Sequence, residues 1–218
     1  WRNQPVGKAR GMTMHESQSL LVEMQACRSE EFLTYAGPVF KKAFGGDDAA
    51  WSAANLHRLY TRVEPGLIRV DADEVTYPAH VIMRYRLERA LIEGDMKLAD
   101  LPGVWNEMMQ KLLGITPKDD RDGCLQDIHW PSGAWGYFPT YTLGAMAAAQ
   151  IFAAARDANP AIPDALSRGE FEPLMNWLAQ NIHSQASSRS TDEILKDATG
   201  SILGVDAFKT HMHNRYGI

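Results

Sequence analysis

The residues that ask first for chemistry in this sequence are its seven histidines. A peptidase zinc site of the H-E-x-x-H kind needs two His one helical turn apart, because positions i and i+4 project from one face and close on a single ion. His15-Glu16 begins like that motif, but Ser19 stands four residues after His15. His211 and His213 are two apart, which sends them to opposite sides of a helix, and His57, His80, His129 and His183 have no His three or four residues away. No local two-His site therefore exists, and a lone His is more commonly a hydrogen-bonded structural residue. The sequence also holds no G-x-S-x-G, no G-x-x-x-x-G-K-S/T and no G-x-G-x-x-G, so it lacks the signatures of a nucleophile elbow and a phosphate loop.

Three segments crowd acids, bases and aromatic rings together. His15-Glu16-Ser17-Gln18, followed by Glu23, opens a helix. Ile68-Arg69-Val70-Asp71-Ala72-Asp73 leads into Glu74-Val75-Thr76-Tyr77. Gly123-Cys124-Leu125-Gln126-Asp127-Ile128-His129-Trp130 is followed by Gly136-Tyr137-Phe138-Pro139-Thr140-Tyr141. Taken alone, each allows a purely architectural use. Glu16 compensates charge at a helix N-terminus, Arg69 ties a hairpin by pairing with Asp71 or Asp73, and His129, Tyr137 and Tyr141 pack around Trp130 and Trp135.

The elements that must position these residues are mostly helices. Leu20, Leu21, Met24, Cys27 and Phe32 follow a helical spacing that predicts one long amphipathic helix over residues 14–35, ended by Gly37-Pro38. A second helix is expected over residues 48–60. Residues 62–76 read as short strands, with Val63, Leu67, Ile68, Val70 and Val75 around a Pro65-Gly66 turn signal. Pro78 starts a helix lined by Val81, Ile82, Tyr85, Leu91 and Ile92 that stops at Gly94, and a short helix over residues 104–113 stops at Gly114. Residues 115–137 form a long loop rich in large side chains, which is often functional. An alanine-rich buried helix follows over residues 140–158, then helices over 170–185, 190–198 with a Ser190-x-x-Glu193 capping box, and 205–216. The expected fold is one unit, mainly α, with a small antiparallel β element.

Composition sets outer bounds. Twenty-two basic against 27 acidic residues leave a net charge of −5 with no block of like charges, which argues against a nucleic-acid partner. The apolar run from Leu143 to Ala155 falls well short of the ~20 residues of a membrane span. Cys27 and Cys124 are too few and too scattered for a disulfide framework or a cysteine zinc site, so a reducing, cytoplasmic setting is expected. The chain opens at Trp1 without a Met and without a signal peptide pattern, as processing or truncation of a longer protein would leave it.

Together, and in this order, the three segments resemble the signature blocks H-E-S-Q, I-R-x-x-A-D and G-x-x-Q-D-x-H-W of the carboxypeptidase Taq family, the thermostable carboxypeptidase 1 type of metallopeptidase. All fixed positions match. The resemblance implies a largely helical metallopeptidase lobe beside a deep groove and removal of C-terminal residues from peptides with one divalent metal, zinc or cobalt. It also implies a homodimer. In that family two His ligands and the general base come from an H-E-x-x-H lying just before H-E-S-Q, whose Glu is the third ligand. By resemblance, then, Glu16 is the metal-binding carboxylate and His15 lies beside the substrate. H-E-x-x-H and the family's earlier H-P-F and D-x-R-x-T blocks are absent from residues 1–218 and would fall upstream of Trp1.

The implied chemistry assigns further roles. A three-ligand metal site lowers the pKa of a bound water toward about 7 for attack on the scissile carbonyl. The substrate's terminal carboxylate needs a fork of donors, which makes Arg69 its candidate. The oxyanion needs aimed donors, for which His129 and Tyr141, with Tyr137 as alternate, are the candidates, while Gln126 and Asp127 orient the loop. Residues 1–218 are accordingly expected to be the C-terminal portion of a single metallocarboxypeptidase catalytic domain, inactive alone. The other readings are a non-catalytic helical binding or dimerisation module derived from that family, or one piece of a cleaved enzyme whose parts stay associated.

Overall fold

The computed structural model describes residues 3–218; Trp1, where the chain opens, and Arg2 lie outside them. Among the described residues the α-helices are α1 (Gly11–Leu20), α2 (Glu30–Phe44), α3 (Ala53–Tyr60), α4 (Tyr77–Glu93), α5 (Leu101–Leu113), α6 (Pro139–Ala158), α7 (Ile162–Ser167), α8 (Glu172–Asn181), α9 (Thr191–Thr199) and α10 (Asp206–Tyr216). None is long and apolar enough to cross a membrane. The chain divides into two compact units, Trp1–Thr61 with Leu143–Ile218, and Arg62–Thr142.

In the first unit, α1 runs on through a π-helical stretch, Leu21–Ala26, and the helical path stops at Cys27. The Ser29 hydroxyl then caps α2 by accepting the Phe32 N–H at 3.2 Å. The single helix expected over residues 14–35 is therefore two. Gly37-Pro38 does not end the second but lies inside it. The reason is packing: a Cβ on buried Gly37 would fall 2.2 Å from the Trp51 carbonyl oxygen, so the glycine admits a neighbouring turn. The alanine-rich α6 supplies the core, with Ala147, Ala148, Ile151 and Ala155 fully buried beside Leu21, Ala26, Leu166 and Leu195. At Gly144 a Cβ would stand 2.7 Å from that of Glu16, so this glycine sets how closely α6 approaches the turn of α1 that carries the carboxylate. The capping box forms as expected, with the Ser190 hydroxyl accepting the Glu193 N–H and the Glu193 carboxylate accepting the Ser190 N–H.

The second unit is built on α4 and α5, whose Met83, Leu87, Leu101, Trp105, Met109 and Leu113 form one core, closed by Cys124 and Trp130 of the following loop. Gly94 and Gly114 end the two helices as expected. The buried face of α4 matches the apolar spacing only in part: Val81 is buried and Leu91 packs on the core. Ile82, Tyr85 and Ile92 are exposed, whereas His80, Arg84 and Glu88 are buried, because a polar cluster occupies that side.

The small antiparallel β element is absent: no strand or sheet occurs among the described residues, and residues 62–76 contain only a short 3-10 turn, Arg69–Asp71. The backbone groups that a partner strand would satisfy are taken by side chains instead. Asp73 accepts from the N–H groups of Glu64, Val75 and Thr76 at 2.9 Å each. Gln126 accepts the Arg69 N–H at 2.8 Å and donates to the Leu67 carbonyl at 3.1 Å. Satisfying the chain this way leaves it irregular.

Two outcomes follow from this packing. Gly144→Ala is expected to cost about 1–3 kcal/mol by overpacking, whereas Gly103→Ala in α5, whose Cβ meets nothing within 4 Å, should stabilise by up to ~1 kcal/mol. Equal effects in chemical unfolding would refute the close approach. His80 is fully buried, and burial first, with the neighbouring Arg84 guanidinium second, pushes its imidazole down to about 4. The unfolded chain's imidazole titrates near 6.5, so the unfolded state binds more protons between those values and stability falls as pH is lowered through that window. About 3 kcal/mol should be lost by pH 4. In His80→Gln that part of the pH slope in unfolding free energy disappears; parallel slopes would show that His80 does not carry it.

Candidate active site

In the second unit, two of the three chemically crowded segments are joined through buried charge. Asp127 Oδ1 accepts Arg69 Nε–H at 2.9 Å and Nη2–H at 2.8 Å, and Asp127 Oδ2 accepts Arg84 Nε–H at 2.6 Å. Arg69 also donates from Nη1 to the Tyr77 hydroxyl at 2.6 Å. Its partner is thus Asp127, 58 residues away, not Asp71 or Asp73. The guanidinium lies over the rings of Tyr141, Phe138 and Tyr77, 5.2, 5.5 and 5.7 Å from their centroids, and only 9% of the side chain is exposed.

Two cations on one carboxylate fix the charge states. Burial pushes Asp127 up, but Arg84 and Arg69 outweigh it and hold the carboxyl below its ordinary range. Burial lowers Arg84 to about 10 despite Asp127, still charged at neutral pH. For Arg69 burial pulls the pKa down, but the hydrogen bonds and charges of Asp127 and Tyr77 together outweigh it and the pKa rises. These three residues carry one net positive charge.

His129 sits at the edge of this cluster. Its Nε2 is hydrogen-bonded to the Tyr141 hydroxyl at 3.1 Å, and its ring centroid is 5.4 Å from that of Tyr137 and 4.4 Å from that of Phe138. The buried Nδ1 makes no hydrogen bond; the nearest carboxylate oxygen, Asp127 Oδ1, is 3.8 Å away. Burial first, then Arg69, lowers the pKa, so the imidazole is neutral at pH 7. With the proton on Nε2, His129 donates to the Tyr141 hydroxyl and so orients the phenol. His129, Tyr137 and Tyr141 thus form one aromatic group, with Tyr137 and Tyr141 ring centroids 5.3 Å apart.

Glu16 and His15 belong to the first unit, on α1. Glu16 is largely buried, with 15% of its side chain exposed, and its Oε2 accepts from the Ser19 hydroxyl at 3.1 Å. His15 is exposed, with Nδ1 3.9 Å from Glu16 Oε1. Gln18 hydrogen-bonds His183 at 2.9 Å, beside a cavity of about 360 Å³ that His15, Gln18, Arg10 and Ile182 help to line. No group of three or more His, Cys, Asp or Glu able to hold a metal occurs among the described residues. A catalytic zinc takes three protein ligands, so the residues present do not by themselves fit one.

Sequence reasoning missed Arg84 and Glu88. Glu88 accepts Trp130 Nε1–H at 2.7 Å and the Gly136 N–H, so it holds the loop at two points. The signal available was the spacing His80, Arg84, Glu88, one turn apart on α4, which puts three polar groups on one helix face. A cleft of about 820 Å³ lies elsewhere, in the first unit between α2, α6 and α10. Its arginines are already engaged, Arg28 by Glu23, Arg156 by Glu31 and Arg215 by the Met24 carbonyl, so it selects no ligand class.

Comparison with known proteins gives this arrangement a context. The family model of carboxypeptidase Taq (M32) metallopeptidases matches residues 1–216. The chain is 39% identical over 208 residues to Carboxypeptidase 1 of Bacillus subtilis, covering 94% of this chain and 41% of that protein. It is 39% identical over 216 residues to Thermostable carboxypeptidase 1 of Thermus thermophilus, covering 97% and 41%. The solved Trypanosoma cruzi metallocarboxypeptidase 1 superimposes with a TM-score of 0.93 at 41% identity, over 99% of this chain and 45% of that one. The chain therefore spans less than half the length of these relatives. With the match running from one end of the sequence almost to the other, the chain belongs to the carboxypeptidase Taq (M32) metallopeptidase family.

Proposed function

We propose that residues 1–218 supply part of the active site of a metal-dependent carboxypeptidase, an enzyme that releases C-terminal residues from peptides. The observation that carries this reading is that Arg69, fixed by its bonds to Asp127, lies 5.2 Å from the Tyr141 ring centroid, which sets a cationic fork beside the His129–Tyr141 pair. A terminal carboxylate and a developing oxyanion lie one residue apart in an exopeptidase substrate, and these are the two charges such a pair of groups serves. Arg69 spends three of its five N–H bonds on Asp127 and Tyr77, so two hydrogens remain to meet the substrate carboxylate. The net positive charge of the cluster favours that approach. His129 orients Tyr141, whose hydroxyl donates to the oxyanion, with Tyr137 beside it as alternate donor. His15 flanks the substrate.

Glu16 is the carboxylate this chain contributes to the metal, zinc or cobalt. The other ligands come from residues outside 1–218, and residues 1–218 alone bind metal weakly and are inactive. The relatives' greater length supports this division. The same membership supports a homodimeric, cytoplasmic enzyme and a chain that forms the C-terminal portion of one catalytic domain.

The test uses the natural full-length protein. Glu16→Ala should lose both metal and release of C-terminal residues; retention of stoichiometric metal would refute the ligand assignment. Arg69→Ala should lower kcat/KM for peptides with a free C-terminus by about 10²-fold, while peptides amidated at the C-terminus, already poor substrates, lose little more. An equal loss on both substrates would show that Arg69 does not meet the carboxylate.

A further inference from the structure

Arg84 is fully buried on the middle of α4, yet its guanidinium reaches three separate acceptors. Nε–H donates to Asp127 Oδ2 at 2.6 Å, Nη2–H to Gln126 Oε1 at 2.9 Å, and Nη1–H to the His80 carbonyl at 3.1 Å. The planar group lies over Trp105 at 4.6 Å and Phe138 at 5.5 Å from the ring centroids, which removes its remaining freedom. We propose that Arg84 is a positioning residue of the active site: by gripping Gln126 and Asp127 together it fixes both the Arg69 guanidinium and the ring of His129. The proposal rests on the carboxypeptidase reading for what the fixed groups do, but not for the fixing itself.

The links run outward from Arg84. Gln126 Oε1, held by Arg84, also receives the Arg69 backbone N–H at 2.8 Å, and Asp127, held by Arg84 at one oxygen, receives both Arg69 side-chain donors at the other. Main chain and side chain of Arg69 are therefore both referenced to Arg84. Asp127 stops 3.8 Å short of His129 Nδ1. Released from Arg84, the carboxylate would turn onto that nitrogen, draw the imidazole away from Tyr141 and favour its cation. A buried paired charge rarely gains stability over a well-packed apolar side chain, so its use here is directional. Lysine cannot replace it, because a single ammonium on a flexible stem does not present the fork that spans the two acceptors.

The experiment again uses the natural full-length protein, with Arg84→Lys, Asp127→Asn and the double variant. Arg84→Lys should keep its helical circular dichroism and metal content while kcat/KM on a free C-terminal peptide falls about 10²-fold. The double variant should be no worse than the poorer single one, because the two residues act through one link. Independently of activity, the His129 ring resonance, assigned by its loss in His129→Gln, should titrate above its wild-type value and above the ~6.5 of an unstructured His in Arg84→Lys. Activity within about threefold of wild type, additive losses, or an unmoved titration would each overturn the proposal. Should Arg84→Lys not fold, Asp127→Asn decides alone: a loss of the same size with His129 titrating lower supports it, and unchanged activity and titration overturn it. A wild-type protein that releases no C-terminal residue would sink the carboxypeptidase reading, while the titration would still judge the positioning role.

Discussion

The structure of the candidate site depends on one carboxylate shared by two buried guanidiniums. Asp127 holds Arg69 with one oxygen and Arg84 with the other, so every group near it inherits a position or a charge state from that arrangement. Without Asp127 the two cations would sit unpaired in a poorly solvated interior, at a cost of several kcal/mol. With it, the cluster keeps a single surplus positive charge, and the adjoining imidazole is kept neutral by its burial and by Arg69, against the opposing pull of Asp127. Structure and chemistry are coupled here because the same bonds that pay for burying the arginines also aim them.

The helical framework was largely legible. Gly94 and Gly114, the Ser190–Glu193 box and the alanine-rich α6 all act as their residue types suggest, because caps and small-residue packing are local effects. The signals that misled were also local. Gly37-Pro38 looks like a stop, but Gly37 is there for a close contact with Trp51, which nothing nearby in the sequence announces. Residues 62–76 carry a strand-like composition, yet Asp73 and Gln126 satisfy the backbone in place of a partner strand. β-propensity expresses packing in a sheet, and no sheet is available to pack in.

The residue types gathered in the candidate site were legible, and their connections were not. Arg69, Gln126, Asp127, His129 and Tyr141 all stand out as residue types, and the structure gathers them in one unit. Which residue pairs with Arg69 was hidden, since proximity favours Asp71 or Asp73 while the actual partner lies far along the chain. Arg84 and Glu88 were invisible for a different reason: an Arg and a Glu one turn apart on a helix ordinarily describe a solvated surface pair. The exposed Ile82, Tyr85 and Ile92 reinforced the wrong face. Glu16 and His15 lie in the other unit, and Glu16 owes its setting to Gly144 of α6.

The polar stripe of α4 has a bearing on how the second unit folds. Its partners Asp127 and Trp130 are 43 and 42 residues away from Arg84 and Glu88, so the stripe has nothing to bond until a long segment closes back upon it. The contacts between α4 and α5 span a shorter loop and face lower closure entropy. A nascent unit would therefore collapse first on its apolar side while the stripe stays hydrated, and dehydration of the arginine would come last. The site is in this sense the final joint to be sealed, and water leaves it only when its geometry is already complete.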